Sequence, residues 1–403
     1  EGRGLTDAVG RRLRVGRPAQ AAGAREGFWH SWTARVMRRP WLSVACAAGA
    51  LLLLASPVLS LQTRQGALSE FPRDHDVRVG VELVREATGG GADPVRVVAE
   101  FGDEPGAAQA ARSELADLRS RLAADPAVAG VGEWAPNEAG TRALLDVFTV
   151  QAADTEEALA FVQRARAEIV PQSALAGRAN VGGEGARIWD VRDLITGSMG
   201  QILAFILGLS FVLLMLMLRS VLLPLKAVVM NLLSIGAAFG VLVAVFQWGW
   251  LDGFAGFESA GALDTINLPL IVAVVFGLSM DYEVFLLSRI RERYLAHGDN
   301  RRAVAEGLAS SAPTISSAAL IMTCVFAVFV LTGVPSIKEL GVGLAIAIAL
   351  DATVVRLVLV PAAMQLMGRW NWWLPGWLDR IPPDLGFESG EGARRQAAAA
   401  VEA

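Results

Sequence analysis

Ile266–Ser288 reads INLPLIVAVVFGLSMDYEVFLLS, a run long and apolar enough to cross a bilayer, yet Asp281, Tyr282 and Glu283 fall in its later half. Insertion scales charge an aspartate near the middle of a spanning helix roughly 2.5–3.5 kcal/mol. Acids kept at that cost usually mark an ion path or a proton relay, so Asp281 is read as a proton-carrying carboxylate.

Working outward, five more runs of the same kind follow from the sequence. The spans are expected at Trp41–Leu61, Ser198–Leu218, Val221–Phe246, Ile266–Ser288, Pro313–Val334 and Glu339–Gly368, the last one longer than a bilayer needs and so tilted. The whole chain agrees: of 403 residues 53% are hydrophobic and only 19% charged, too apolar for an ordinary soluble protein. Six spans put both termini on one side. Arg35, Arg38 and Arg39 precede the first span, Arg219 and Lys226 flank the turn between the second and third, and five arginines from Arg289 to Arg302 follow the fourth. The loop 247–265 has acids but no Lys or Arg. The positive-inside rule then places both termini in the cytoplasm and residues 62–197 outside, with Lys338 as the one small dissent. That makes this a multi-pass protein of the cytoplasmic membrane.

The segment 62–197 reads as a folded domain of its own. A helix is expected at Asp76–Thr88, ended by Gly89–Gly91, then a strand at Pro94–Phe101 with alternating apolar positions. Ala107–Ala123 has helical spacing through Leu115, Leu118 and Leu122 and ends at Asp125-Pro126. Strands follow at Val128–Trp134 and Ala143–Gln151, a helix N-capped by Thr155 runs to Ile169, and a short strand at Ala179–Gly182 leads into the amphipathic stretch Glu184–Ile195. The order β-α-β-β-α-β is the ferredoxin-like pattern, an α+β fold that hosts many activities and so names none. The segment is read as a module that handles or docks a substrate, or as a rigid outer cap.

Residues 1–40 form a basic cytoplasmic segment, arginine-rich and without an apolar face, read first as a poorly ordered linker and alternatively as a juxtamembrane segment that touches anionic lipid. Residues 369–403 are a second cytoplasmic tail, with Trp370, Trp372, Trp373 and Trp377 as an interfacial belt and Glu388–Ala403 loose. The first residue is Glu1 and no methionine precedes Met37, so a piece of something longer is expected.

Several chemistries find no support. The two cysteines, Cys46 and Cys324, lie in predicted spans and cannot build a disulfide framework or a metal site. The two lysines sit in no phosphate-binding loop, and no cofactor, metal, nucleic acid or enzymatic activity is implied. His30, His75 and His297 all lie outside the spans, so a proton carrier within the membrane must be a carboxylate.

Asp281 and Tyr282, as neighbours on a helix, point about 100° apart, so each must find its partner on another helix. The sixth span offers Asp351 and Arg356 in LDATVVR, at a depth close to that of Asp281, roughly 20 Å from the outer end at 1.5 Å per residue. A shared polar cluster and a purely structural Asp351–Arg356 ion pair are both open at this point. Glu283, on a different face, is expected to snorkel or to pair with the Arg289–Arg293 cluster, and Gly277 and Ser279 leave room for water or close helix approach. The Gly236-x-x-x-Gly240 step is a packing signal.

The string GLSMDYEVFLLSRIRERY (277–294) resembles the MmpL branch of the resistance–nodulation–division transporters, and GVLVAVFQWGW (240–250), LDATVVRLVLVPA (350–362) and MGRWNWWLP (367–375) extend the likeness from Trp41 to Arg380. The resemblance implies a proton relay through Asp281 and Tyr282, supported by Asp351 and Arg356. It also implies a porter-type outer domain and two six-span halves, of which this chain is one, similar to the C-terminal half. The partners implied are protons, a lipid or other hydrophobic small molecule for export, and an N-terminal half or a second copy of the chain in a homo-oligomer. A non-transporting six-span scaffold and a SecD/SecF-like translocation subunit are the competing readings.

Overall fold

The computed structural model of the chain describes residues 18–64, 75–88, 93–102, 106–253, 259 and 261–376. Among the described residues six helices are long and apolar enough to cross a membrane: Pro40–Ser60, Glu184–Leu218, Leu222–Gln247, Asn267–His297, Asn300–Leu331 and Pro335–Trp372. These are the first to sixth spans below. The third, sixth and fourth form the interior of the bundle, with 67%, 56% and 44% of their apolar windows buried, whereas the first, second and fifth bury 11%, 17% and 11% and line its outside.

Small residues set how closely the helices approach. A Cβ on Gly240 would lie 1.8 Å from the Leu54 carbonyl oxygen, and one on Gly236 would touch Ala55, so the Gly236–Gly240 step lets the third span lie directly against the first. Gly343 does the same for the sixth span, where a Cβ would meet Ile271 of the fourth and Leu242 of the third.

Between the first and second spans stands a domain of strands and helices. After β1 (Thr63–Arg64) and the helix Asp76–Thr88 come β2 (Val95–Glu100), β3 (Val128–Val131), β4 (Ala135–Pro136), β5 (Arg142–Thr149) and β6 (Ala179–Gly183). The sheet order is β3-β5-β2-β6, every pairing antiparallel, with β4 also on β5. Strict alternation along β2 and β5 sends Val95, Val97, Leu145 and Val147 to one face. There they meet Leu115, Leu118 and Leu122 of the helix Arg112–Ala123 and Phe161 and Val162 of the helix Glu156–Arg164. Full burial of each such side chain contributes roughly 1.5–3 kcal/mol. Thr155 caps the second helix, its hydroxyl accepting from the Ala158 N–H at 3.4 Å.

The second span starts in this domain. Glu184–Leu218 is one helix of 35 residues, about 52 Å long, and so extends well beyond a 30 Å hydrocarbon core. The amphipathic stretch read at Glu184–Ile195 is its first part. A second tie is the parallel bridge of β1 to β7 (Leu263–Asp264), which joins the end of the first span to the approach to the fourth.

Two readings of the termini need correction. The basic segment is no loose linker from Pro18 onward, because Pro18–Arg38 is a helix. Trp29, Trp32, Thr33, Val36 and Met37, at spacings of three and four, make a narrow stripe that the arginine-rich composition conceals. Met37 and Val36 are buried, and the Trp32 indole donates to the Leu357 carbonyl at 3.0 Å. At the other terminus Trp372 is not a lipid-facing anchor. It stacks on Tyr294 with centroids 4.7 Å apart and donates to the Asn300 side chain at 3.2 Å. Trp370 and Trp373 are exposed, as a belt requires. Residues 1–17, Gly89–Gly91, Trp377, Arg380 and Glu388–Ala403 lie outside the described residues.

Candidate functional site

The sixth span changes its winding where its charges begin. Pro335–Leu350 is α-helical, Asp351–Leu359 is π-helical, and Val360–Met367 is α-helical again. In an α-helix residues five apart point about 140° away from each other. The π segment, hydrogen-bonded five residues apart, brings Asp351 and Arg356 onto one side. The Arg356 Nε and Nη2 both donate to Asp351 Oδ2, at 3.0 and 2.7 Å. Both side chains are buried, at 6% and 4% exposure. In surroundings of that kind the pair has to hold together, because either charge alone would be very costly.

The pair is tied across to the fourth span. Arg356 Nη2 also donates to the Ser279 carbonyl at 2.5 Å, and its guanidinium lies over the Tyr282 ring, 5.1 Å from the centroid. The Tyr282 hydroxyl points to the fifth span and donates to the Met322 sulfur at 3.4 Å. One arginine thus organises the sixth span, the Ser279 backbone and the Tyr282 ring.

The sequence Asp281-Tyr282-Glu283 puts an acid on each of two opposite helix faces, since residues two apart differ by about 200°. Glu283 is the inward one, 7% exposed, and accepts from the Asn231 amide of the third span at 3.3 Å. It does not pair with the Arg289–Arg293 cluster, in which Arg289 bonds Glu292 instead. Asp281 is exposed on the bundle surface and has no hydrogen bond or ion pair among the described residues. The structure therefore brings together Ser279, Tyr282, Glu283, Asp351 and Arg356, and leaves Asp281 on the face next to them. The reason is visible along the helix: Ile271, Val275, Ser279, Glu283, Leu286 and Ile290 form the buried stripe, and Asp281 is off it.

Asn231 and Lys226 were missed by residue reasoning. Lys226 is read from the sequence as a marker of orientation near a helix end, but its Nζ is buried with no hydrogen-bond partner among the described residues, and it acts electrostatically on Glu283. A polar Asn at 231 in an otherwise apolar run was the available signal, as was Ser234 one turn on, buried with an unpartnered hydroxyl.

Comparison with known proteins fits this geometry. The MMPL family model matches residues 70–384. The mycolic acid-containing lipids exporter MmpL11 of Mycolicibacterium smegmatis is 43% identical over 380 residues, which cover 93% of this chain and 39% of that protein. The heme uptake protein MmpL11 of Mycobacterium tuberculosis is 43% identical over 371 residues, 91% of this chain and 38% of its own. The trehalose monomycolate exporter MmpL3 of Mycobacterium tuberculosis is 32% identical over 379 residues, 90% of this chain and 39% of its own. The chain spans about two fifths of the length of these relatives.

Proposed function

The chain belongs to the MMPL family of multi-pass membrane transporters, and on that premise we propose that it is one six-span half of a proton-driven exporter of lipids or other hydrophobic small molecules. The observation that carries the reading is the pair Asp351–Arg356, buried at mid-bundle and bonded to the fourth span beside Tyr282, with Asp281 on the adjoining open face. Names of the relatives support a hydrophobic cargo: two are exporters of mycolic-acid lipids or trehalose monomycolate.

In this reading the exposed stripe Leu270, Ala273, Gly277, Asp281 and Phe285 faces a second six-span unit, an N-terminal half or another copy of the chain. Against lipid, Asp281 would cost roughly 2.5–3.5 kcal/mol. Against a second bundle it gains a counterpart and can cycle between charged and neutral forms. One proton moving through 100 mV supplies about 2.3 kcal/mol, enough to bias a two-state rearrangement tens of times over. In the same reading the antiparallel sheet with its two helices is a ferredoxin-like, porter-type domain outside the cytoplasmic membrane, and both termini are cytoplasmic, the side the positive-inside rule favours for the arginine-rich loops.

The test is Asp281→Asn, which keeps shape and removes the titrating proton. Export of labelled lipid from vesicles is expected to stop while membrane insertion and thermal unfolding stay unchanged. Undiminished export by this variant would overturn the assignment of the proton relay to Asp281.

A further inference from the structure

Beyond the pair described above, the bundle holds a second set of charges that the relay through Asp281 and Tyr282 does not use. Arg356 is committed to Asp351 and the Ser279 carbonyl. That leaves Glu283 with one hydrogen bond, from Asn231, and Lys226 with none among the described residues. Two further buried polar atoms lack a partner among the described residues: Nη1 of Arg356, whose charge acts on Glu283, and Ser234 Oγ, three residues along the third span from Asn231. Buried polar groups are almost always satisfied by protein or by ordered water, and a lysine ammonium carries three donors. So many orphaned atoms in one place need water, which binds where several polar partners converge.

Their depths say from which end water comes. At 1.5 Å per residue, Glu283 and Asp351 lie about 24 Å from the domain end of their helices, and Lys226 about 31 Å from the domain end of the third span. Toward the domain, the same three helices meet through Ile235, Ala238, Leu242, Ile271, Val275 and Leu344, a dry apolar layer. Among the described residues no buried charge interrupts that layer between Glu339 and Asp351 or between Asn267 and Glu283. Toward the other end, Lys226 stands four residues inside the third span, so the set of buried charges reaches to within about 6 Å of that end.

We propose that Glu283 and Lys226 form a proton-release site, hydrated from the end of the bundle opposite the strand domain, where Glu283 takes up one proton and passes it to water while Lys226 supplies the counter-charge. The proposal rests on the proton-driven reading and extends it to the exit side, the cytoplasmic side in the orientation given above. The carboxylate becomes a carboxylic acid when the proton arrives and is restored when water accepts it, so nothing is consumed. The charged groups that act on Glu283 are Lys226 from the third span and Asp351 and Arg356 from the sixth, and no other charge acts on it from the second or fifth span among the described residues. Arg356 and its bonded partner Asp351 act on Glu283 in opposite senses, whereas Lys226 has no such opposing partner among the described residues.

Infrared difference spectroscopy of the chain in lipid vesicles tests this without requiring export. Lowering the pH is expected to raise a high-frequency carboxyl C=O band that shifts at once in D2O. Glu283→Gln removes the band. In Lys226→Met the band persists to more alkaline pH by about one unit, the Coulombic effect of one lost counter-charge, and Lys226→Arg restores the original behaviour. The proposal is overturned if the band survives in Glu283→Gln or if Lys226→Met leaves its titration unmoved. Asp281→Asn separates the two readings: a band lost there and untouched by Glu283→Gln upholds proton drive through Asp281 and eliminates the release site.

Discussion

Two of the aspartate–arginine pairs among the described residues, Asp125–Arg164 and Asp351–Arg356, have nearly equal bond lengths in different surroundings. In the strand domain Arg164 grips Asp125 as a fork, Nη2 to Oδ1 at 2.7 Å and Nε to Oδ2 at 2.9 Å, with the arginine side chain 37% exposed. In the bundle Arg356 sends two nitrogens to a single oxygen of Asp351, and a third nitrogen finds no partner among the described residues. The first pair uses both carboxylate oxygens and keeps its arginine partly in solvent, although the Asp125 side chain is itself only 7% exposed. The second is buried and incompletely satisfied. The first geometry is that of a stabilising clamp, whereas the second leaves a buried donor unsatisfied, which makes the pair costly to disturb.

The sharpest way to break the comparison is to remove each arginine. Arg356→Met leaves Asp351 as a buried charge without its cation, which costs about 3–5 kcal/mol and shows as a large drop in thermal unfolding temperature or a loss of folded protein. Restoring neutrality with Asp351→Leu in the same chain is expected to recover most of that stability, because a buried pair exchanged for apolar side chains is often neutral. Under the proposed function, export is expected to stay lost in the double variant. If the double variant exports, the pair only knits helices, the structural alternative that residue reasoning leaves open.

Packing sharpens the same contrast. The domain core is made of Leu, Val and Phe, whereas the bundle interior depends on glycine where helices touch. Gly240→Leu has to displace the Leu54 backbone, so it is expected to part the first and third spans and cost about 1–3 kcal/mol in unfolding experiments. Gly130→Ala in β3 is the control from the domain. A Cβ there meets nothing within 4 Å, and its effect should be within 0.5 kcal/mol or so.

These differences explain what could be read from residues alone. Each of the six spans was legible because a run of apolar residues admits few other structures, and β2 and β5 because period-two alternation with one buried face leaves an unmistakable trace. Asp351 and Arg356 were legible as charges in an apolar run. Their contact depends on a π segment that no residue there announces. Which acid of Asp281-Tyr282-Glu283 turns inward was not legible either, since a helix apolar on every side shows no stripe against which to measure a face. Lys226 was hidden for a related reason: near a helix end a lysine reads as an interfacial charge, and only the fold shows its ammonium turned inward. The helix Pro18–Arg38 was masked by the arginines of residues 1–39, nine in all, which outnumber the five positions that pack.

The smallest effect comes from the domain pair and is one of pH. Arg164 beside Asp125, its hydrogen bonds first of all, holds that carboxyl below its ordinary value despite partial burial, and the Ala127 N–H adds to the effect. A carboxyl with a lowered folded-state value stabilises the fold fully above its unfolded value, near 4, and loses that contribution as the pH falls through the folded one. Between pH 5 and 8 the pair therefore gives a constant contribution, on the order of 1 kcal/mol or less because the arginine is partly in solvent. Hydrogen exchange in the helix Glu156–Arg164, compared between the native chain and Asp125→Asn at matched pH, should show a steady difference over that range and a vanishing one in acid. A difference that instead appeared near neutral pH would mean that Asp125 titrates like a buried functional acid, and the contrast between the two pairs would be gone.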